Sequence, residues 1–111
     1  MAREVIKEFE NFTLEHVTGV GINDTPYEEL EVRSKGLADK HVVSVRLDSG
    51  VYSFNGEPVK RLVNKVYVNH GMRMTTDTLA ETKEYIDVLN EALDVAFEVQ
   101  KYCILNGWWK G

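Results

Sequence analysis

The middle of the chain contains side chains that could together bind an anion. An aromatic ring can stack on a nucleotide base, and an arginine fork can hold a phosphate. Alternation along residues 51–54 points Tyr52 and Phe54 to the same side of a strand. The alternative is an aromatic core face with solvated arginines at its rim. We predict a site for an anionic, nucleotide-type small molecule formed by Arg46, Tyr52, Phe54, Asn64, His70 and Arg73.

The charge distribution is compatible with such a ligand. The chain has 111 residues and a formal net charge of −5. Eight basic and three acidic residues lie between Arg33 and Arg73, whereas five basic and fifteen acidic residues lie outside that segment. The basic middle could receive an anion, or it could carry the lysines and arginines that keep edge strands soluble. The net acidity argues against nucleic acid as the partner.

No motif indicates catalysis, a metal or a cofactor. The three histidines are far apart in the sequence, and Cys103 lies within a helical pattern, so the close ligand spacing of a zinc site is missing. Gly19 and Gly21 lack the third glycine and the following helix of a dinucleotide-binding fingerprint. We expect a protein that binds rather than catalyses.

Composition favours a single cytoplasmic domain over residues 1–111. No run of 18 apolar residues could cross a membrane, and the first residues lack the apolar core of a secretion signal. A single cysteine excludes an internal disulfide framework, which fits a reducing compartment.

The elements that must position these side chains are strands followed by a helix. Period-two alternation predicts strands near residues 12–17, 30–32, 43–47, 51–54 and 62–68, so residues 1–74 are mainly β. Residues 3–10 fit either a short helix or the start of a strand, and residues 34–39 form a polar connection.

Two turns are predicted within this part of the chain. Residues 48–50 are typical of a tight turn, and Asn55-Gly56 is typical of a hairpin. We therefore predict an α+β fold, with an antiparallel meander of four or five strands followed by one long C-terminal helix.

The helix is predicted over residues 78–106, with a tail at 107–111. These 29 residues contain no glycine or proline, Thr78 and Glu81 fit a capping box, and Gly107 fits the C′ position with Trp108 packed back on the last turn. Such a helix is about 43 Å long, whereas a compact globule of this size is about 35 Å across. The helix must overhang its domain, bend or pack on a second copy.

Two apolar seams run along this helix, and one sheet can cover only one of them. The first seam consists of Leu79, Ile86, Leu89, Leu93, Ala96 and Phe97. We assign the second seam to the interface of a homo-oligomer, a dimer or larger: Tyr85, Val88, Ala92, Val95, Val99 and Tyr102. The alternative is that the N-terminal segment covers it within one subunit.

Trp109 in the tail either seals the core or anchors a partner protein, since tryptophan is frequent at interface hot spots. With the acidic helix face at Glu91 and Asp94, it provides a second hypothesis, in which the protein binds one host protein as an inhibitor or adaptor.

In its size, acidity, sheet-then-helix order and lack of catalytic residues, the chain resembles the small proteins that phages encode against host defences. Some of those proteins are oligomers that sequester nucleotide signals, and others block a host enzyme. The resemblance implies binding without turnover, and it carries no individual residue over to this chain.

Overall fold

A computed structural model of the chain describes residues 1–53, 58–71 and 78–111. Strands occupy most of the first 70 residues, and one long helix occupies most of the remainder. A short 3-10 helix at Ile22–Asp24 connects the second and third strands. The strands and α-helices are β1 Ala2–Glu8, β2 Phe12–Val20, β3 Pro26–Ser34, α1 Leu37–Lys40, β4 Val43–Asp48, β5 Val51–Ser53, β6 Val59–Leu62, β7 Lys65–His70 and α2 Leu79–Leu105.

These strands form two sheets. The larger sheet has the order β1-β2-β3-β6-β5, and the smaller one pairs β4 with β7. The pairing is antiparallel except between β3 and β6, which run parallel over Tyr27–Val59 and Glu28–Lys60. The α+β class, the antiparallel meander and the long C-terminal helix are therefore confirmed.

The segments β4–β5 and β6–β7 are the two arms of one long hairpin with an interruption in the middle. Val43–Asp48 pairs with Lys65–His70, and Val51–Ser53 pairs with Val59–Leu62. The tight turn predicted at residues 48–50 is wrong, because β5 follows β4 along the same arm instead of folding back on it. The chain does reverse between β5 and β6, although the Asn55-Gly56 turn itself lies outside the described residues.

Asn11 holds α1, an element that the sequence did not predict within the polar connection. Its backbone N–H and its Nδ2 donate to the Glu91 carboxylate at 2.8 and 2.9 Å, and its Oδ1 accepts from the Leu37 N–H at 3.0 Å. Gly36 precedes the helix with φ +54°, a conformation that favours glycine. The short helix thus depends on a contact distant in sequence, which local propensity does not encode.

The predicted ends of α2 are confirmed. The Thr78 hydroxyl accepts from the Glu81 N–H at 3.1 Å, which satisfies one of the free N–H groups of the first turn. At the other end, Gly107 has φ +75° and the Trp108 N–H donates to the Cys103 carbonyl at 2.9 Å. This is the six-to-one bond of a Schellman ending, and it places Trp108 in the core.

The assignment of the oligomer interface to the second seam of α2 is wrong. Val88, Ala92, Val95 and Val99 are at most 1% exposed, because α2 packs this face on β7 and β4 of its own chain. Tyr85 and Tyr102 are half-buried at the margins of the same core. The N-terminal segment supplies part of the cover, as the alternative had it: Lys7 lies 2.7 Å from Glu98, the Asn11 N–H donates to Glu91 at 2.8 Å, and Phe9 packs against the same core.

The other side of α2 is open to solvent. Its large apolar side chains have the following exposed fractions: Leu79 88%, Ile86 50%, Leu93 50%, Phe97 66%, Ile104 54% and Leu105 71%. Twenty-seven helical residues span about 40 Å, and the molecule measures 52 × 26 × 23 Å. An apolar side of α2 therefore remains uncovered, as predicted, but it is formed by part of the first seam together with Ile104 and Leu105. Leu89 and Ala96 of the first seam contact the core.

Candidate functional site

A cleft of about 430 Å³ lies between β3 and β4. The two strands approach closely at one end, where the Ser34 hydroxyl donates to the Val43 carbonyl at 2.8 Å. In the described part of the chain, the ladder of β3 towards β6 covers only Tyr27 and Glu28, so the cleft runs along the remainder of that edge. Its lining consists of Glu29, Leu30, Glu31, Val32, Arg33, Ser34, Ser44, Val45, Arg46, Leu47 and Ser49.

The two glutamates of the lining are held by arginines from other strands. Arg61 donates to Glu29 at 2.8 Å, and Arg3 lies 3.3 Å from Glu31. Arg3 also donates to Glu15 at 3.1 Å, and this hydrogen bond is the main cause that raises the pKa of its guanidinium. The carboxylates along this wall are thus already engaged with cations.

The two arginines of the lining are less tightly held. Arg33 lies 3.9 Å from Glu15 and is 57% exposed. The Nε–H of Arg46 donates to the Ser44 hydroxyl at 3.3 Å, and no carboxylate of the described residues lies within 4.0 Å of its guanidinium. Both guanidinium groups therefore retain donors for a ligand.

Tyr67 adds an aromatic ring next to Arg46. The two residues are register partners on β7 and β4, so their side chains lie on the same face of the small sheet. The Lys65 ammonium lies 4.9 Å from the centroid of the Tyr67 ring. The Ser44 hydroxyl on this face also donates to the Asn69 carbonyl, at 3.4 Å. This face combines two cations with a ring.

The structure does not bring all the predicted site residues together. His70 lies on the opposite face from Arg46, because it pairs with Val43, which faces the core. Its Nδ1 lies 3.0 Å from the Tyr85 hydroxyl of α2. Asn64 is exposed at the interruption between β6 and β7. Phe54, Arg73 and the side chain of Tyr52 lie outside the described residues.

The sequence analysis did not include Arg33, Ser44 or Tyr67 among the candidate site residues. Tyr67 could have been placed on the polar face, because polar side chains alternate with Val66 and Val68 along this strand. Arg33 had no such signal, since its position beside β4 depends on how the two sheets pack.

A second polar cluster surrounds the N-terminal half of α2. The His41 ring is fully buried, its Nε2 lies 2.7 Å from Glu84, and Lys40 donates to the same carboxylate oxygen at 2.8 Å. The hydrogen bond from Lys40, and after it that from His41, lowers the pKa of Glu84. The His41 ring also lies 5.6 Å from the Tyr85 ring. This cluster ties α1 to α2, with His41 inside the protein and Lys40 and Glu84 at the surface.

Most of the remaining candidate residues are built into the fold, whereas Asp94 is exposed on α2. Trp109 is half-buried against the core. Its two neighbours in the tail are hydrogen-bonded to Val63: the Val63 N–H donates to the Trp108 carbonyl at 2.7 Å, and the Lys110 N–H donates to the Val63 carbonyl at 2.8 Å. Cys103 is fully buried, and burial raises the pKa of its thiol to about 11. Glu91 of the acidic face is engaged by Asn11.

Within the described residues, no three His, Cys, Asp or Glu side chains form a cluster that could hold a metal ion. None of the helices described is both long and apolar enough to span a membrane. Comparison of the chain with protein-family models, curated proteins and solved structures found no match to any of them.

Proposed function

We propose that this protein is a non-catalytic binding protein that captures an anionic, nucleotide-type small molecule in the cleft between β3 and β4. The supporting observation is the cleft of about 430 Å³ with Arg46 exposed at its border. Small-molecule sites usually have volumes of about 300–1,000 Å³, so a nucleotide-sized ligand fits this space.

The charges around the cleft favour an anion. Glu29 and Glu31 are engaged by Arg61 and Arg3, so they offer little repulsion to a ligand at Arg33 and Arg46. Three carboxylates and four guanidinium groups lie in or beside the cleft lining, which leaves one positive charge in excess. They are those of Glu15, Glu29 and Glu31 and of Arg3, Arg33, Arg46 and Arg61. The excess positive charge lies at Arg46, which is the one of these four arginines that has no carboxylate of the described residues within 4.0 Å.

The neighbouring aromatic ring favours a ligand with a planar group. Tyr67 lies on the same face as Arg46 and beside Lys65. A base stacked on Tyr67 would bring its phosphate within the reach of Arg46, which is the combination of stacking and charge that nucleotide binding uses.

The resemblance to phage-encoded counter-defence proteins points to the first ligands to test, which are cyclic mononucleotides and cyclic dinucleotides of the kind used as defence signals. Simple nucleoside mono-, di- and triphosphates form the comparison set.

We expect at least one nucleotide of this panel to raise the melting temperature and to give a binding isotherm by calorimetry. Loss of a charge-assisted hydrogen bond costs about 1.5–3 kcal/mol, so Arg46→Ala should weaken binding by about 10- to 100-fold. Arg46→Lys should also weaken binding, because an ammonium group lacks the planar fork.

The matched control is Lys110→Ala, which removes an exposed cation in the tail. It should leave the affinity unchanged. The proposal fails if no nucleotide of the panel binds, or if Arg46→Ala binds the ligand as tightly as the unmodified chain does.

A further inference from the structure

We propose that the exposed face of α2 binds the same face of a second copy of this chain, with the two helices antiparallel. We call this face the outer strip, and it consists of Ile86, Asn90, Leu93, Phe97, Gln100 and Ile104. The proposal is independent of the β3–β4 cleft, since none of these residues lines it.

The outer strip has the spacing of a helix-packing seam. Its residues follow one another in steps of four and three, which is the pattern of the a and d positions in coiled coils. Ile86, Leu93, Phe97 and Ile104 are 50%, 50%, 66% and 54% exposed. The strip is about 27 Å long, and its four large apolar side chains are all at least half exposed along that length.

In an antiparallel pair whose twofold axis passes the helices at the level of Val95, apolar residues of the strip face apolar residues of the partner, and polar residues face polar ones. Ile86 lies opposite the partner's Ile104, and Leu93 lies opposite the partner's Phe97. Asn90 lies opposite the partner's Gln100, so the two polar residues of the strip can hydrogen-bond to each other instead of facing an apolar side chain.

The charged border of the strip matches in the same register. Asp87, Asp94 and Lys101 follow one another along this border, at spacings of seven residues. In the antiparallel pair, Lys101 lies between the partner's Asp87 and the partner's Asp94. Asp94 approaches its own copy near the twofold axis, but a Lys101 flanks that pair on each side. Lys83 lies opposite the C-terminal end of the partner's helix, which favours a cation.

The opposite border of the strip offers a shallow hole for the partner's side chains. Leu93, Ala96, Phe97 and Gln100 of α2, together with residues 66–68 of β7, line a pocket of about 100 Å³. It lies at the height of the Leu93 layer, so an aliphatic or aromatic side chain of the second copy reaches it without any change of register.

A parallel pair is disfavoured by the same residues. In register, it would place Lys83 against the partner's Lys83 on the seam. The border that faces β7 carries Leu89, Ala96 and Cys103 at the seven-residue repeat, so it has no cation to pair with Asp87 or Asp94. Only the antiparallel arrangement joins opposite charges.

We expect sedimentation velocity over about 1 to about 200 μM to show a reversible dimer, because the strip is smaller than the roughly 800 Å² per partner of a standard interface. Phe97→Asp should raise the dissociation constant at least about 100-fold, since twofold symmetry removes the ring from both halves. Val20→Asp, which changes a similarly exposed valine at the end of β2, is the matched control and should have no effect.

Cysteine cross-linking tests the orientation. Mixing Asn90→Cys with Gln100→Cys under mild oxidation should give the mixed disulfide dimer, whereas each variant alone should stay uncross-linked. The native Cys103 is buried and serves as the silent background. A charge exchange gives a second readout: Lys101→Glu should weaken the dimer, and adding Asp87→Lys with Asp94→Lys should restore it.

The proposal is overturned if the chain remains monomeric at about 200 μM, well above the micromolar range expected. It is also overturned if Asn90→Cys cross-links to itself, which would indicate a parallel pair, or if the charge exchange does not restore association.

Discussion

At the level of single residues, Glu84 is the carboxylate on which two elements converge. It accepts from Lys40 and His41, both at the end of α1, while it belongs to the second turn of α2. A carboxylate can only accept in this position, so the His41 Nε2 must carry the proton. The charge of Glu84 therefore contributes to holding α1 against α2.

The pH dependence of stability follows from this contact. The pKa of Glu84 is lower in the folded chain, with Lys40 as the largest cause. The charged form thus stabilises the fold above the unfolded value of about 4.3, and the contribution is lost as the pH falls through the lower folded value. We predict that Glu84→Gln lowers the free energy of unfolding at pH 7 and has a much smaller effect at pH 3, as measured by urea titration.

Glu10→Gln is the control for this experiment, because Glu10 is an exposed glutamate on the loop between β1 and β2. An equal loss of stability at both pH values for Glu84→Gln would contradict the electrostatic explanation and leave only a packing effect.

Part of the cleft lining could be predicted from the sequence and the rest could not. Alternation along β4 fixes the face of Arg46, which lines the cleft. Val88 and Val95 were recognised as apolar, but they were assigned to an oligomer interface instead of the core. The face of α2 that the sheet covers was assigned incorrectly, because two seams of similar hydrophobicity give no signal about which one meets the sheet.

At the level of elements, the alternation of apolar and polar residues predicted where the strands lie, but it did not predict which strands pair. The Asp48-Ser49-Gly50 tripeptide predicted a reversal at residues 48–50, yet β4 and β5 form one arm of a hairpin that is interrupted opposite Val63 and Asn64. The Asn64 N–H donates to the Asp48 carbonyl at 2.8 Å, so the interruption is itself hydrogen-bonded. Contacts from the C-terminal tail to Val63 stabilise it, and no local pattern could reveal them.

The connection between α1 and β4 contains a strained residue. Val42 has φ +55° and is 66% exposed. A β-branched residue is disfavoured in this region of backbone space, at a cost of about 1–3 kcal/mol. Its carbonyl accepts from the Gly71 N–H at 3.0 Å, which holds the conformation in place.

We predict that Val42→Asn raises the free energy of unfolding by about 1 kcal/mol, because asparagine tolerates positive φ better than valine does. Chemical denaturation at neutral pH measures the change. Val20→Asn, at a similarly exposed valine, should give no gain. A loss of stability in Val42→Asn would show that the valine side chain makes a contact worth more than the strain.

At the level of the whole molecule, the cleft lies where the two sheets meet, between β3 of the larger sheet and β4 of the smaller one. The sequence predicted an anion site in the basic middle of the chain, and the cleft contains one of its predicted residues, Arg46. The remaining lining comes from β3, which no sequence pattern connects to β4. Long-range packing therefore determines the cleft more than local propensity does.

The most direct measurement is a nuclear magnetic resonance titration of the isotope-labelled chain with the tightest-binding nucleotide of the panel. We predict saturable shifts of the backbone amides of residues 29–34 and 44–49 and of the Arg46 side-chain Nε–H, with the outer strip of α2 unaffected. Shifts confined to α2 or the tail, or none at all, would contradict it.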